Sequence, residues 1–229
     1  MNFLGAIMMI VVLIAAAMAG IYLLYQFMVN WQPGRNKINK DIHEFREELD
    51  LMLPELVPLD SEEMELLSLN QINVSRSKGF TKTVKGTFTS IFHEPLVTYA
   101  YKRYMGGDEN ALIVARTKEH QLNYRIKKGE IRIELDNRPL GVLKQNSLLY
   151  GGRQNKLLAK VNRDSHENLL PITVGEQEVG MMVRPEKARA TNPRAFELLK
   201  PMGKEEELVL LSLSVLEAIQ HSVRKQLKK

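Results

Sequence analysis

From Phe3 to Val29 the chain carries no charged side chain, and the strongly polar residue in that run, Gln26, stands near its end. At about 1.5 Å per residue such a run makes a helix about 40 Å long, more than the roughly 30 Å hydrocarbon core of a bilayer. Thirteen of its residues are Leu, Ile, Val or Phe. At about 0.3 to 0.6 kcal/mol each, they favour insertion by on the order of 4 to 8 kcal/mol. Tyr22, Tyr25 and Trp31 gather toward one end, where amphipathic rings suit the headgroup level. A cleaved signal peptide would carry Lys or Arg ahead of its apolar stretch. None is present, and the stretch runs on past the small-residue site at Ala17-Met18-Ala19. The pattern therefore predicts one membrane-spanning helix within residues 1–31. The basic flank holds Arg35, Lys37 and Lys40, which places the N-terminus outside and the rest of the chain in the cytoplasm.

The pattern then changes. Ile38, Ile42, Phe45, Leu49 and Met52 recur at helical spacing, which predicts an amphipathic helix with a narrow apolar seam that packs on the following domain or on a twin helix. Pro54 and Pro58 end it. Asp60 with Glu63, flanked by Leu59 and Met64, reads as a capping box with a hydrophobic staple opening a short helix to about Leu67. Residues 32–69 thus form a helical connector, and residues 70–229 a separate domain.

In that domain, from Ile72 to about Leu199, the period falls to two. Leu122, Tyr124 and Ile126 alternate with polar residues, as do Ile131, Ile133 and Leu135 after a tight turn at Lys128-Gly129. This is a hairpin with one buried and one wet face. Further turn signals stand at Gly106-Gly107-Asp108, Asn137, Gly151-Gly152 and Gly175-Glu176. The spacing predicts about 10–12 antiparallel strands in a barrel or sandwich. Glu205 to Lys225 then reads as one helix, acid at its start and basic at its end, as the helix dipole prefers. Leu208, Val209, Leu210, Leu211, Leu213, Val215, Leu216 and Ile219 lie on every side of it, so it needs burial all round. At roughly 1.5–3 kcal/mol per side chain, exposing these residues would forfeit on the order of 12–24 kcal/mol. The apolar part is too short to span a bilayer. A mainly β antiparallel barrel threaded by this C-terminal helix satisfies both demands.

Charge adds a division that the pattern does not show. Asp41 to Glu65 holds ten acids and one base, whereas Leu66 onward holds 28 bases and 17 acids. An acidic connector precedes a basic domain, and basic domains seek anionic surfaces. The clusters to consider are Arg125, Lys127, Lys128 and Arg132 on one hairpin, Lys102 and Arg103 at the end of another strand, and a basic tail from Arg224. Contact with anionic headgroups competes with the plainer reading of a solvated face.

The segments Pro171-Ile172-Thr173-Val174-Gly175, Glu178-Val179-Gly180-Met181-Met182, Arg194-Ala195-Phe196-Glu197-Leu198 and Glu205-Glu206-Glu207-Leu208-Val209-Leu210-Leu211 resemble the end of domains of the tubby C-terminal-like superfamily. That superfamily includes tubby proteins, phospholipid scramblases and LURP-one-related proteins. The resemblance covers roughly residues 70–225. It implies a closed barrel around a hydrophobic C-terminal helix and a bias toward lipid headgroups. The chain departs from the pattern in having no cysteine to receive lipid. In place of the scramblases' acidic calcium segment it has only Glu205, Glu206 and Glu207, and it shows no tubby-type phosphoinositide motif. No functional residue carries over.

Catalytic signatures are missing. With no cysteine, thiolate catalysis, disulfides and Cys-based zinc sites are excluded. There is no G-x-S-x-G, G-x-G-x-x-G or Walker loop. His93-Glu94 and His166-Glu167 start like zincin motifs, but Val97 and Leu170 stand where the second histidine belongs. Asn73-Val74-Ser75 is a glycosylation sequon without relevance to a cytoplasmic domain. The sequence predicts no catalytic residue, metal site or cofactor. The expected partner is the bilayer and its anionic phospholipid. A nucleic-acid partner is disfavoured by the absence of an RNP-like motif or recognition helix. The alternative is a structural or interaction protein that oligomerises through the anchor, where Ala16 and Gly20 have small-xxx-small spacing, and through the connector seam, and whose barrel recruits a protein partner.

Overall fold

The computed structural model describes residues 3–228 except 60, 78, 80, 106–108, 145–147, 153–155, 164–168, 184–193 and 199–202. The apolar run forms α1 (Phe3–Trp31). Its side chains from Ile7 on are mostly exposed, and the helix is long and apolar enough to cross a membrane. The connector forms α2 (Arg35–Asp50), a single 3-10 turn at Leu53–Glu55 around Pro54, and α3 (Ser61–Leu66). Leu59 and Met64, the two halves of the expected staple, are buried in the core. The Asp60 cap lies outside the described residues, as do the Gly106-Gly107-Asp108 turn and His166-Glu167.

Twelve strands follow: β1 (Leu67–Ser77), β2 (Lys82–Ser90), β3 (Pro95–Arg103), β4 (Asn110–Arg116), β5 (Gln121–Lys127), β6 (Glu130–Leu135), β7 (Arg138–Leu143), β8 (Leu148–Gly151), β9 (Lys156–Val161), β10 (Leu169–Val174), β11 (Gln177–Val183) and β12 (Phe196–Leu198). Each pairs antiparallel with the next, in sequence order. The first strand begins at Leu67, five residues before the predicted Ile72, because Leu67 and Ser68 are already buried in the sheet. The two edges approach one another: Ser68 bridges Arg194, and the Ala195 N–H donates to the Leu67 carbonyl at 2.6 Å. The sheet is thereby a nearly closed barrel.

Turn residues set the register as their backbone demands. Lys128 and Gly129 have φ of 53° and 77°, and Asp136 and Asn137 have 50° and 62°. These are two-residue turns of the I′ kind, whose twist matches the flanking strands. On the inward face of the first of these hairpins, Leu122, Tyr124 and Ile133 are buried, as the alternation requires.

The last helix, α4 (Lys204–Lys228), lies inside this barrel. An eight-stranded barrel is roughly filled by its own side chains, so twelve strands leave room for a helix about 10–12 Å across. Leu210, Leu211, Leu213, Val215, Leu216 and Ile219 are all buried and belong to one core with side chains from β1 to β12. Two polar ties fix its rotation. The Tyr124 hydroxyl donates to the Ser212 carbonyl at 2.8 Å. Near the other end, Tyr99 Oη lies 3.0 Å from Ser222 Oγ, and Ser222 donates to Gln71 Oε1 at 2.9 Å. Gly86 sits opposite Tyr99 on β2. A Cβ there would come within 3.2 Å of the tyrosine ring, so the glycine makes room for this tie.

Because the burial is all-round, truncating Leu210, Leu211, Leu213 or Leu216 to alanine is each expected to cost about 2–5 kcal/mol, whichever way the residue faces. Thermal unfolding of the full chain in detergent checks this. A helix lying on the surface would instead show one sensitive stripe and tolerate the rest.

Candidate functional site

The barrel has two ends, and the chain marks one of them. At the near end stand the last residues of α1, the β3–β4 and β5–β6 connections, and the last turns of α4. The Met105 N–H donates to the Asn30 carbonyl at 3.0 Å. The Asn110 side-chain amide donates to the Trp31 carbonyl at 3.1 Å, and Asn30 itself is buried. The C-terminal end of α1 is therefore fastened to the β3–β4 connection. Beside it the Lys128 N–H donates to the Glu109 carbonyl at 3.0 Å, and Arg76 donates to the Gln226 carbonyl near the end of α4.

From this end α2 runs back along the outside of the barrel. Phe45 and Leu49 are buried on Ala100, Tyr104, Leu112 and Val114, with Ile38 and Ile42 at the margin. Of the two packing partners expected for the connector seam, the barrel is the one it meets. Polar contacts follow the same face. Asp41 is fully buried, accepts from Lys37 at 2.7 Å and from Lys102 at 2.9 Å on one oxygen, and accepts from the Tyr104 hydroxyl at 2.5 Å on the other. Burial alone would raise the Asp41 carboxyl, but hydrogen bonds from Lys37, Tyr104 and Lys102 outweigh it and hold it below the usual carboxylate range. Burial, reinforced by the Asp41 carboxylate, pushes the Tyr104 phenol far above its ordinary value. Further along, Glu48 pairs with Lys85 at 2.6 Å and Asp50 with Arg116 at 2.9 Å. The acidic connector neutralises the bases on the outer face of β2 to β4.

This divides the six predicted lipid-contact residues. Lys102 is committed to Asp41 and lies over the Tyr104 ring at 5.7 Å. Arg125 lies over the same ring at 5.4 Å and donates to the Ala111 and Ile126 carbonyls and to Asn110 Oδ1 at 2.6–2.8 Å. Both are fixed in the outer packing. Lys127, Lys128 and Arg132 are exposed, with Arg132 opposite Arg125 in the β5–β6 register. Arg103 faces the other way from Lys102, into the barrel mouth.

There it lines a cavity of about 480 Å³, within the roughly 300–1,000 Å³ of small-ligand sites. Among the described residues, its lining includes Tyr101, Ile126, Ile131, Val223 and Leu227, the bases Lys82, Arg103 and Arg224, and the acid Glu109. Lys82 was missed by sequence reasoning. Its signal is the register: Lys82 and Arg103 are cross-strand partners, an arrangement of like charges that destabilises a bare sheet. Among the described residues, no group of three or more His, Asp or Glu is placed to hold a metal ion. No protein-family model, curated protein or solved structure matches this chain.

The Asp41 node yields a signed pH prediction. A carboxylate whose folded pKa is depressed contributes stability that is complete above its unfolded value of about 4 and is lost as pH falls through the folded value. Asp41→Ala leaves two lysines facing a buried hydroxyl, and at pH 7 it is expected to cost about 3 kcal/mol, the low end for a broken buried pair because both lysines reach solvent. The difference from the native chain should shrink steadily below about pH 4, as followed by thermal unfolding across pH. A pH-independent difference would mean that the carboxylate charge is not what holds α2 down.

Proposed function

We propose that this chain is a membrane-tethered, non-enzymatic module. Its basic barrel mouth contacts anionic phospholipid headgroups at the inner leaflet, in the service of lipid handling or membrane-associated signalling. The observation that carries the reading is the attachment of the end of α1 to the β3–β4 connection. If α1 spans the bilayer, the same end of the barrel faces the headgroups. That end carries Lys82, Lys127, Lys128 and Arg224, all exposed. The flanking bases Arg35, Lys37 and Lys40 favour the cytoplasmic side for the barrel. A barrel around a C-terminal helix also suits membership of the tubby-like superfamily, which the sequence pattern suggested. In the oligomerisation alternative the association would fall on the anchor, since the connector seam is covered by the barrel.

A fragment of residues 32–229, which keeps α2 over Leu112 and Val114, is expected to sediment with anionic vesicles and not with neutral ones. Raising salt from about 0.05 to 0.5 M should weaken it. Reversing Lys127 and Lys128 to glutamate should lower the affinity by about 30-fold or more, at about 1 kcal/mol per charge removed plus the repulsion added. Both side chains are exposed, but Lys127 faces Glu130 across the β5–β6 register, so thermal unfolding of the variant is measured alongside to separate lost binding from lost stability. Equal binding to neutral and anionic vesicles would overturn the reading.

A further inference from the structure

We propose that α2 is a splint that makes the anchor and the barrel one rigid body, so that bilayer thickness sets how closely the β5–β6 hairpin approaches the leaflet. This rests on the membrane-contact reading and deepens it, by naming what regulates that contact. The first ground is attachment on both sides of a short link. The end of α1 is tied to the β3–β4 connection through Asn30 and Trp31. Gln32, Pro33 and Gly34 alone separate α1 from α2, and the proline fixes one backbone angle of that link. From Asp41 to Asp50, α2 is then held to the barrel. Asp41 accepts from Lys102 and Tyr104, Phe45 and Leu49 pack on the outer face of β3 and β4, and Glu48 and Asp50 pair with Lys85 and Arg116. Arg46 reaches Asn137 Oδ1 in the β6–β7 turn at 2.7 Å. Past the helix, Lys118 donates to the Leu53 carbonyl and the Val57 N–H to the Pro95 carbonyl. The anchor cannot swing about the link without breaking its own ties, nor carry α2 with it without breaking contacts spread over β2 to β7.

The second ground is length. The anchor offers about 40 Å of apolar helix to a hydrocarbon core of roughly 30 Å. Tyr25 and Trp31 set its barrel-side end at the headgroup level. The surplus is therefore taken up by tilt, and a thicker bilayer needs less of it. A hinged barrel would ignore that tilt. A splinted one turns with it, and the turn lowers one side of the barrel toward the leaflet while lifting the other. Lys127 and Lys128 are exposed at the tip of the β5–β6 hairpin, so on an anionic surface that side is the one lowered. In any one bilayer the hairpin then stands at a fixed distance, and the thickness selects it.

The test uses the full chain, which has no cysteine, so that introduced cysteines carry labels at unique positions. Ile21→Cys on α1 and Phe92→Cys on the β2–β3 turn are both exposed sites for spin labels. In bilayers of dimyristoleoyl, dioleoyl or dierucoyl phosphatidylcholine, the distance between the two labels is expected to be single, narrow and the same in all three. A broad distribution, or a mean that moves with lipid length, would overturn the splint. The second readout is energy transfer from a fluorophore at Glu130→Cys, exposed beside the hairpin tip, to an acceptor on the lipid headgroups. The same three lipids are used, each mixed with phosphatidylglycerol at about one part in four. As the bilayer thins, the hairpin label should approach the surface by several Å. A Gly-Gly-Ser-Gly-Gly-Ser insertion after Pro33, combined with Asn110→Ala, frees α1 while leaving α2 on the barrel, and should abolish that dependence. Transfer that ignores thickness in the native chain, or an equal dependence in the hinged variant, overturns the proposal. The spin-label distances involve no anionic lipid, so their failure falls on the splint alone. Where the distances hold and the transfer fails, sedimentation of residues 32–229 assigns the fault. Retained binding puts it on the thickness coupling, and lost binding puts it on the membrane-contact reading.

Discussion

The enclosure of α4 is the constraint from which the rest of the molecule follows. A helix with large apolar side chains around its whole circumference has no stable position on a protein surface. Its core, from Val209 to Val223, is also too short to cross a bilayer. The twelve-stranded sheet resolves this by curling around it. The demand runs both ways. A barrel of that many strands would be hollow without a central element, so the inward residues Tyr99, Leu122, Tyr124 and Ile133 find their packing partners on the helix. Sheet and helix are thus each unfinished alone. The polar ties from Tyr124 to Ser212 and from Tyr99 to Ser222 select one rotation and depth for the helix among the many that apolar contact alone would permit.

A second layer sits outside. Strands β3 and β4 are buried on both faces, by α4 within and α2 without, and so the run Ala111-Leu112-Ile113-Val114-Ala115 is apolar without alternation. The placement of α2 also reorganises charge. The connector and the barrel have opposite net charge, and α2 brings Asp41, Glu48 and Asp50 against Lys102, Lys85 and Arg116. The bases on that side are neutralised. Lys127, Lys128 and Arg132 on the β5–β6 hairpin are not covered by α2 and stay exposed.

Much of this was legible in the sequence because it rests on periodicity. The alternation at Leu122–Leu135, the all-round apolar pattern of α4 and the uncharged run of α1 each state a local environment that a single element can satisfy. The site was less legible, because it depends on which residues the register brings together. Lys102 and Arg103 are neighbours in sequence, yet one turns outward to Asp41 and the other inward to the cavity. Arg125 looked like its neighbours Lys127 and Lys128, but only Arg125 lies over Tyr104 and reaches the backbone of β4. Lys82 carries no local signal, and its relevance comes from a pairing across β2 and β3 and from a helix more than a hundred residues later.

The position of the anchor gives the charge distribution its sense. A basic patch on a freely diffusing protein samples every anionic surface, and its weak contacts are screened within about a Debye length. A patch held beside the end of a spanning helix meets one surface at a fixed distance, and contacts of about 1 kcal/mol each act at high effective concentration. The last turns of α4 reach the same end of the barrel and form one wall of the cavity there. The helix that closes the core is thus also tied to the barrel wall close to this end, by way of Ser222, Tyr99 and Gln71.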